Sequence, residues 1–214
     1  MKLHSYVVAR DFGFAPNPFF GVCTLATCKP KIRGAARIGD WILGTGSKQR
    51  GREKHVVYAM RVTGTMAFEE YFADSRFQTK KPNLRGSKKQ AFGDNIYSRN
   101  PRTGLWRQAD SHHSLKDGSP NMSNVVADTG TNRVLFSDDF VYWGGSGPRL
   151  PAKFLGGGPH RVSLLAGRGH RNDFSPELVQ DFVAWIRSLA KRGIAANQMI
   201  GAGRHNGQVR EVMT

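Results

Sequence analysis

Two short apolar runs, joined by a loop too charged to bury, constrain this chain more than any other feature. Gly39-Asp40 is a tight-turn dipeptide, and the run after it, Trp41-Ile42-Leu43, is too short for a helix. The second run begins at Val56-Val57-Tyr58 and extends through Met60, Val62 and Thr63 to Met66. Its β-branched and aromatic content reads as a strand. Between the two lie Lys48, Arg50, Arg52 and Lys54 against one acid, Glu53, so this linker runs over the surface. Phe68-Glu69-Glu70-Tyr71-Phe72 then reads as a short helix, and a second basic segment runs from Lys80 to Lys89. Together these make a curved β-unit with basic loops beside it.

The remaining pattern places other elements around that unit. Leu3 to Ala9 reads as a first strand and Gly21 to Cys28 as a second. A Gly- and Pro-containing loop with Phe12, Phe14, Phe19 and Phe20 lies between them, and Lys29 to Arg37 reads as a basic link. Arg133 to Ser137 and Phe140 to Trp143 are short strand candidates, and 144–159 is a Gly/Pro loop. The strongest helix signal lies between Phe174 and Gly193. Ser175 suits the N-cap, Pro176 the first turn and Glu177 the positive end of the helix dipole. Leu178, Phe182, Trp185, Ile186 and Leu189 recur on one face. The expected architecture is α+β: a mixed, curved or barrel-like sheet with this C-terminal helix packed on it. It forms a single domain over 1–193, followed by a basic Gly-containing tail over 194–214.

Function classes narrow by charge. Lys and Arg number 32 against 16 acids, giving a formal charge of +16. Such a balance favours a polyanionic partner, DNA or a nucleotide. No long apolar run or basic amphipathic helix points to a membrane, and Leu3 to Ala9 lacks a cleavage-site pattern, so we expect a cytoplasmic protein. Cys23 and Cys28 are five apart and would face opposite sides of one strand, which disfavours a disulfide. Their spacing also lacks the two-residue gap of common zinc sites. With no phosphate-loop, Gly-x-Ser-x-Gly or His-Glu-x-x-His motif, neither a cofactor nor a metal is expected.

The chemistry concentrates in the polar middle, 83–132, a stretch long enough without regular periodicity to suggest a site. Asn95, Gln108, Asp110 and His113 offer the donors and acceptors that read a base edge. Trp41, Tyr97, Trp106 and Trp143 are aromatic walls on which a flipped base could stack. Alternatively Asp94, Asp110 and His113 could act as acid, base or metal ligands in an enzyme on a base or nucleotide. Lys48, Arg50, Arg52, Lys54, Lys80, Lys81, Lys88, Lys89, Arg168 and Arg204 are candidate phosphate contacts.

Several of these segments carry a resemblance. The run Tyr6-Val7-Val8-Ala9-Arg10-Asp11 with Gly13-Phe14-Ala15-Pro16-Asn17-Pro18-Phe19 is similar to the nucleotide modification associated domain family of the second type. So are Cys23-Thr24-Leu25-Ala26-Thr27-Cys28-Lys29-Pro30, Gly39-Asp40-Trp41-Ile42, Gly44-Thr45-Gly46-Ser47, Asp94-Asn95-Ile96-Tyr97 and Asp110-Ser111-His112-His113-Ser114. The resemblance implies association with bacterial and phage systems that modify DNA bases, and it fixes no catalytic residue. A looser likeness, from the Gly-Asp before a strand and the return strand ending in Val62-Thr63, is to PUA-like barrels, which include modified-base readers. The implied functions are capture of a modified base, an enzyme acting on a base or nucleotide, or a scaffold among the proteins of a base-modification system.

Overall fold

The computed structural model of the chain describes residues 1–189 and 193–194. In chain order the strands are β1 (Leu3–Val7), β2 (Cys23–Leu25), β3 (Trp41–Thr45), β4 (Val56–Arg61), β5 (Gly64–Met66), β6 (Tyr97–Arg99), β7 (Trp106–Gln108), β8 (Val134–Ser137), β9 (Asp139–Tyr142), β10 (His170–Arg171) and β11 (Gly193–Ile194). The α-helices are α1 (Pro30–Ala35), α2 (Phe68–Ala73), α3 (Lys88–Ala91), α4 (Met122–Thr129) and α5 (Pro176–Leu189). The fold is α+β, and the chain divides into two compact units, each built from separated segments. Unit 1 holds Met1–Asp11, Ala36–Thr63 and the described residues from Ser137 onward; unit 2 holds Phe12–Ala35 and Gly64–Phe136.

Unit 1 is a six-stranded mixed sheet in the order β10-β1-β3-β4-β9-β11, and no closed barrel forms among the described residues. β1 and β3 run parallel, with Leu3 opposite Trp41, whereas β3, β4 and β9 pair antiparallel. The β3–β4 register shifts at Gly44/Thr45. A Cβ at Gly44 would lie 2.4 Å from the Tyr58 ring, so only glycine fits that approach. One sheet face, with Leu3, Trp41, Leu43 and Ala59, packs against Leu178, Val179, Phe182 and Ile186 of α5. The expected apolar stripe therefore holds except at Leu189, which is 42% exposed. Arg187 lies over the Trp41 ring at 5.0 Å and grips Asp139 with both guanidinium nitrogens.

Unit 2 combines a three-stranded sheet, β2-β8-β5, with the β6–β7 hairpin and helices α1 to α4. Its core gathers Phe14, Phe68, Tyr71, Phe77, Phe92, Ile96, Tyr97 and Val125. Three sequence expectations need correction here. The 21–28 strand is only the three residues of β2, because the chain turns sharply after Leu25. The basic link after Cys28 is helix α1. The polar middle contains the β6–β7 hairpin and α4, whose buried face offers Val125 and Asp128 in place of an apolar stripe. The 194–214 tail, with Arg204, lies outside the described residues apart from Ile194.

Candidate active site

The site in unit 2 begins at the exit from β2. Cys28 and Lys29 both adopt left-handed backbone angles, with φ of 57° and 45°. That conformation is unfavourable for a side chain with a Cβ and is kept only where the surroundings impose it. Pro30 follows at the first position of α1, where its fixed φ suits the helix, and the N–H groups of Ile32 and Arg33 bond back to the Lys29 carbonyl. Cys28 thus sits on a sharp strand-to-helix turn, half-buried.

Arg33 locks this turn. It is completely buried, and its guanidinium donates to the carbonyls of Cys28 (2.9 Å), Thr131 (2.7 Å), Arg133 (2.6 Å) and Asp128. Burial pulls its pKa down to about 10, with the Asp128 carboxylate acting in the opposite sense. One side chain therefore ties the Cys28 backbone to the end of α4.

α4 delivers Asp128 from its last turn. Asp128 Oδ1 accepts the Cys28 N–H at 2.7 Å, and Oδ2 accepts the Tyr97 hydroxyl at 2.7 Å. Oδ2 also lies 2.8 Å from His113 Nδ1. The other ring nitrogen, Nε2, lies 3.6 Å from the Cys28 sulfur. A carboxylate only accepts, which assigns the Nδ1 proton to the Asp128 side and turns Nε2 to the thiol. The ring leans on Phe14, with centroids 4.7 Å apart. The His113 carbonyl accepts from Asn124 Nδ2 (2.8 Å) and Gln108 Nε2 (3.4 Å). Burial lowers the imidazole pKa, but the bonds to Asp128 and Cys28 outweigh it and raise the value to about 9. Thiol, imidazole and carboxylate thus stand in line, the arrangement that activates a nucleophile through a base held by a third group.

The same three residues also offer a sulfur, a nitrogen and an oxygen within 4.8 Å of one another, a possible donor set for a metal. One ion reaches only one ring nitrogen, so Asp128 on Nδ1 would orient the imidazole instead of sharing that ion.

The expected site residues divide. Tyr97, Gln108 and His113 come together: Gln108 donates to the Tyr97 hydroxyl at 3.2 Å and accepts the Asn121 N–H at 2.8 Å. Tyr97 supports the triad by donating to Asp128, and Gln108 by donating to the His113 carbonyl. Asp94 belongs to a separate buried cluster, accepting from Thr24 (2.6 Å) and Tyr71 (2.7 Å), with burial raising its pKa. Asn95 donates to the Tyr71 and Phe77 carbonyls. Lys80 is a correction: at 1% exposure its ammonium donates to Asn17 inside the protein, out of reach of a phosphate. Trp106 is half-buried under the Arg99 guanidinium at 4.3 Å, and Asp110 is half-buried. Trp41 and Trp143 belong to unit 1, and the 2% exposure of Trp41 makes it a core residue. Lys48, Arg50, Lys88 and Arg168 are exposed; Arg52, Lys54, Lys81 and Lys89 are half-buried.

Sequence reasoning misses Cys28 and Asp128 as site residues. The only local sign is Cys28-Lys29-Pro30, a turn signal at a helix start. Nothing in the sequence marks Asp128.

A family model described as nucleotide modification associated domain 2 matches residues 1–201. Neither a curated protein nor a solved structure matches the chain.

Proposed function

This chain belongs to the nucleotide modification associated domain 2 family, and from that premise we propose that it is an enzyme of nucleotide modification whose nucleophile is the Cys28 thiol. The observation that carries the reading is the line from Asp128 through His113 to the Cys28 sulfur. The raised pKa of His113 keeps a proton on Nε2 against the Cys28 sulfur while that sulfur bonds to an electrophilic carbon of the nucleotide or base. The imidazolium returns that proton to the leaving group as its bond to the carbon breaks. A second nucleophile, deprotonated by His113, then displaces the sulfur and regenerates the thiol. Asp128 holds the imidazole in the tautomer this needs, and Arg33 and Tyr97 hold Asp128.

The net charge of +16 supports a phosphate-bearing substrate. Base reading by Asn95 is less favoured, because its side chain is fully buried and its amide nitrogen donates to the Tyr71 and Phe77 carbonyls. Iodoacetamide labelling followed by mass spectrometry tests the proposal. Cys28 should label, whereas Cys23, buried and with its pKa pushed up to about 12, should not. Asp128→Asn should slow Cys28 labelling at least about tenfold, because the imidazole loses the carboxylate that orients it. Incubation with nucleotides or duplex DNA should leave a mass adduct on Cys28 that Cys28→Ser lacks. A Cys28 that reacts no faster than free cysteine would overturn the reading.

A further inference from the structure

We propose that Cys28 and His113 form a binding site for a thiophilic divalent cation, Zn²⁺ foremost, and that the ion reversibly blocks the thiol. The metal geometry stands on its own; the blocking role rests on the nucleophile reading above.

Three observations converge. First, the sulfur and Nε2 are 3.6 Å apart. Zn–S and Zn–N bonds of usual length meeting at the tetrahedral angle span about 3.6 Å, so an ion could bridge the two donors with little movement of either. Second, Asp128 sits 2.8 Å from the opposite ring nitrogen. A carboxylate there is the usual support of a metal-bound histidine: it fixes the ring and makes Nε2 a better donor. Third, Cys28 and His113 are both half-buried and not sealed, so an ion and its waters can enter. Two protein donors leave two tetrahedral positions to water, which suits reversible occupancy. A thiolate–imidazole pair selects zinc or cobalt over magnesium or calcium, which prefer oxygen. The spacing of Cys23 and Cys28 is the wrong place to look for zinc, because the partners of Cys28 come from positions 113 and 128.

Cobalt titration of the reduced full-length protein tests the site, since Co²⁺ bound to a thiolate gives a charge-transfer band in the near ultraviolet. The band should saturate at one equivalent, vanish in Cys28→Ser, and need 10- to 100-fold more cobalt in Asp128→Asn. Zn²⁺ should displace the cobalt and protect Cys28 from iodoacetamide, and a chelator should restore labelling. Circular dichroism of the near-isosteric Cys28→Ser checks that it folds. Absence of the band in the parent protein, or its survival in folded Cys28→Ser, would overturn the site. Labelling in chelator separates the two readings. Cobalt uptake with an inert thiol would keep the metal site and remove the nucleophile, and labelling without cobalt uptake would do the reverse.

Discussion

Lys80 shows how completely a residue's role depends on its surroundings. Its ammonium is buried against the Asn17 carbonyl and side-chain oxygen, and burial lowers its pKa from 10.5 to about 8, opposed by the Asp94 carboxylate. Between those two values the unfolded chain keeps a proton that the folded chain has released. More protons bound to the unfolded state means stability that rises with pH. Lys80 therefore adds stability as pH climbs from about 8 toward 10.5. Burial holds the Cys23 thiol and the Tyr71 hydroxyl protonated well above their ordinary values, so they also make stability depend on pH here, and the comparison with Lys80→Met isolates the Lys80 contribution. Urea midpoints should rise relative to Lys80→Met between pH 8 and 10; a constant difference would remove the effect. Arg33, buried in the same unit, directs its guanidinium to the carbonyls of Cys28 and Asp128, so a residue that reads as surface charge instead shapes the site.

Among the elements, helices written in a strong stripe are legible and helices assembled by contact are not. α5 has its apolar face, its Ser175 and its Pro176, all readable from order alone. α1 is six residues long, below the length at which helices hold by themselves, and α4 buries an aspartate where a stripe would place an apolar residue. Loops also carry fixed contacts. A Cβ on Gly147 would fall 1.6 Å from the Val56 carbonyl oxygen, and the neighbouring Pro148 carbonyl accepts the Val56 N–H at 2.9 Å. The φ of Gly147 is an ordinary −63°, so the conflict is purely steric. Gly147→Ala should cost about 2 kcal/mol by urea unfolding, the range of overpacking. Gly145→Ala, with nothing within 4 Å, should stay within about 0.5 kcal/mol. Equal effects of the two would show that the loop is not pressed on the start of β4.

Across the molecule as a whole, charge has the widest reach. An excess of 16 cations over anions gives salt-sensitive affinity for a polyanion. Lys48 and Arg50 are exposed on a single 3₁₀ turn in unit 1. Replacing both with Gln should reduce the slope of log K against log salt for duplex DNA by about 2, near one unit for each lost phosphate contact. Fluorescence anisotropy across a salt series measures it. Absence of binding at low salt would discard the polyanion reading, and an unchanged slope would place the contacts elsewhere. Among the described residues no helix is long and apolar enough to cross a membrane.

Residue order alone is enough for the α+β class, the strands β1, β3, β4, β8 and β9, the long C-terminal helix, the basic character and the family. The class, the strands, the helix and the charge follow from period, capping and composition, which are local properties of the chain, and the family follows from the resemblance of its quoted runs. Order also singles out His113. What His113 meets is settled only in three dimensions: Cys28 is 85 residues away and Asp128 is 15 residues on. Folding likewise withdraws Asp94, Asn95 and Lys80 into the interior. The physical reason is that a repeat of apolar residues specifies which face turns inward, whereas a catalytic contact depends on which distant segments close upon one another. That closure is set by the packing of the whole unit, and no run of neighbouring residues encodes it.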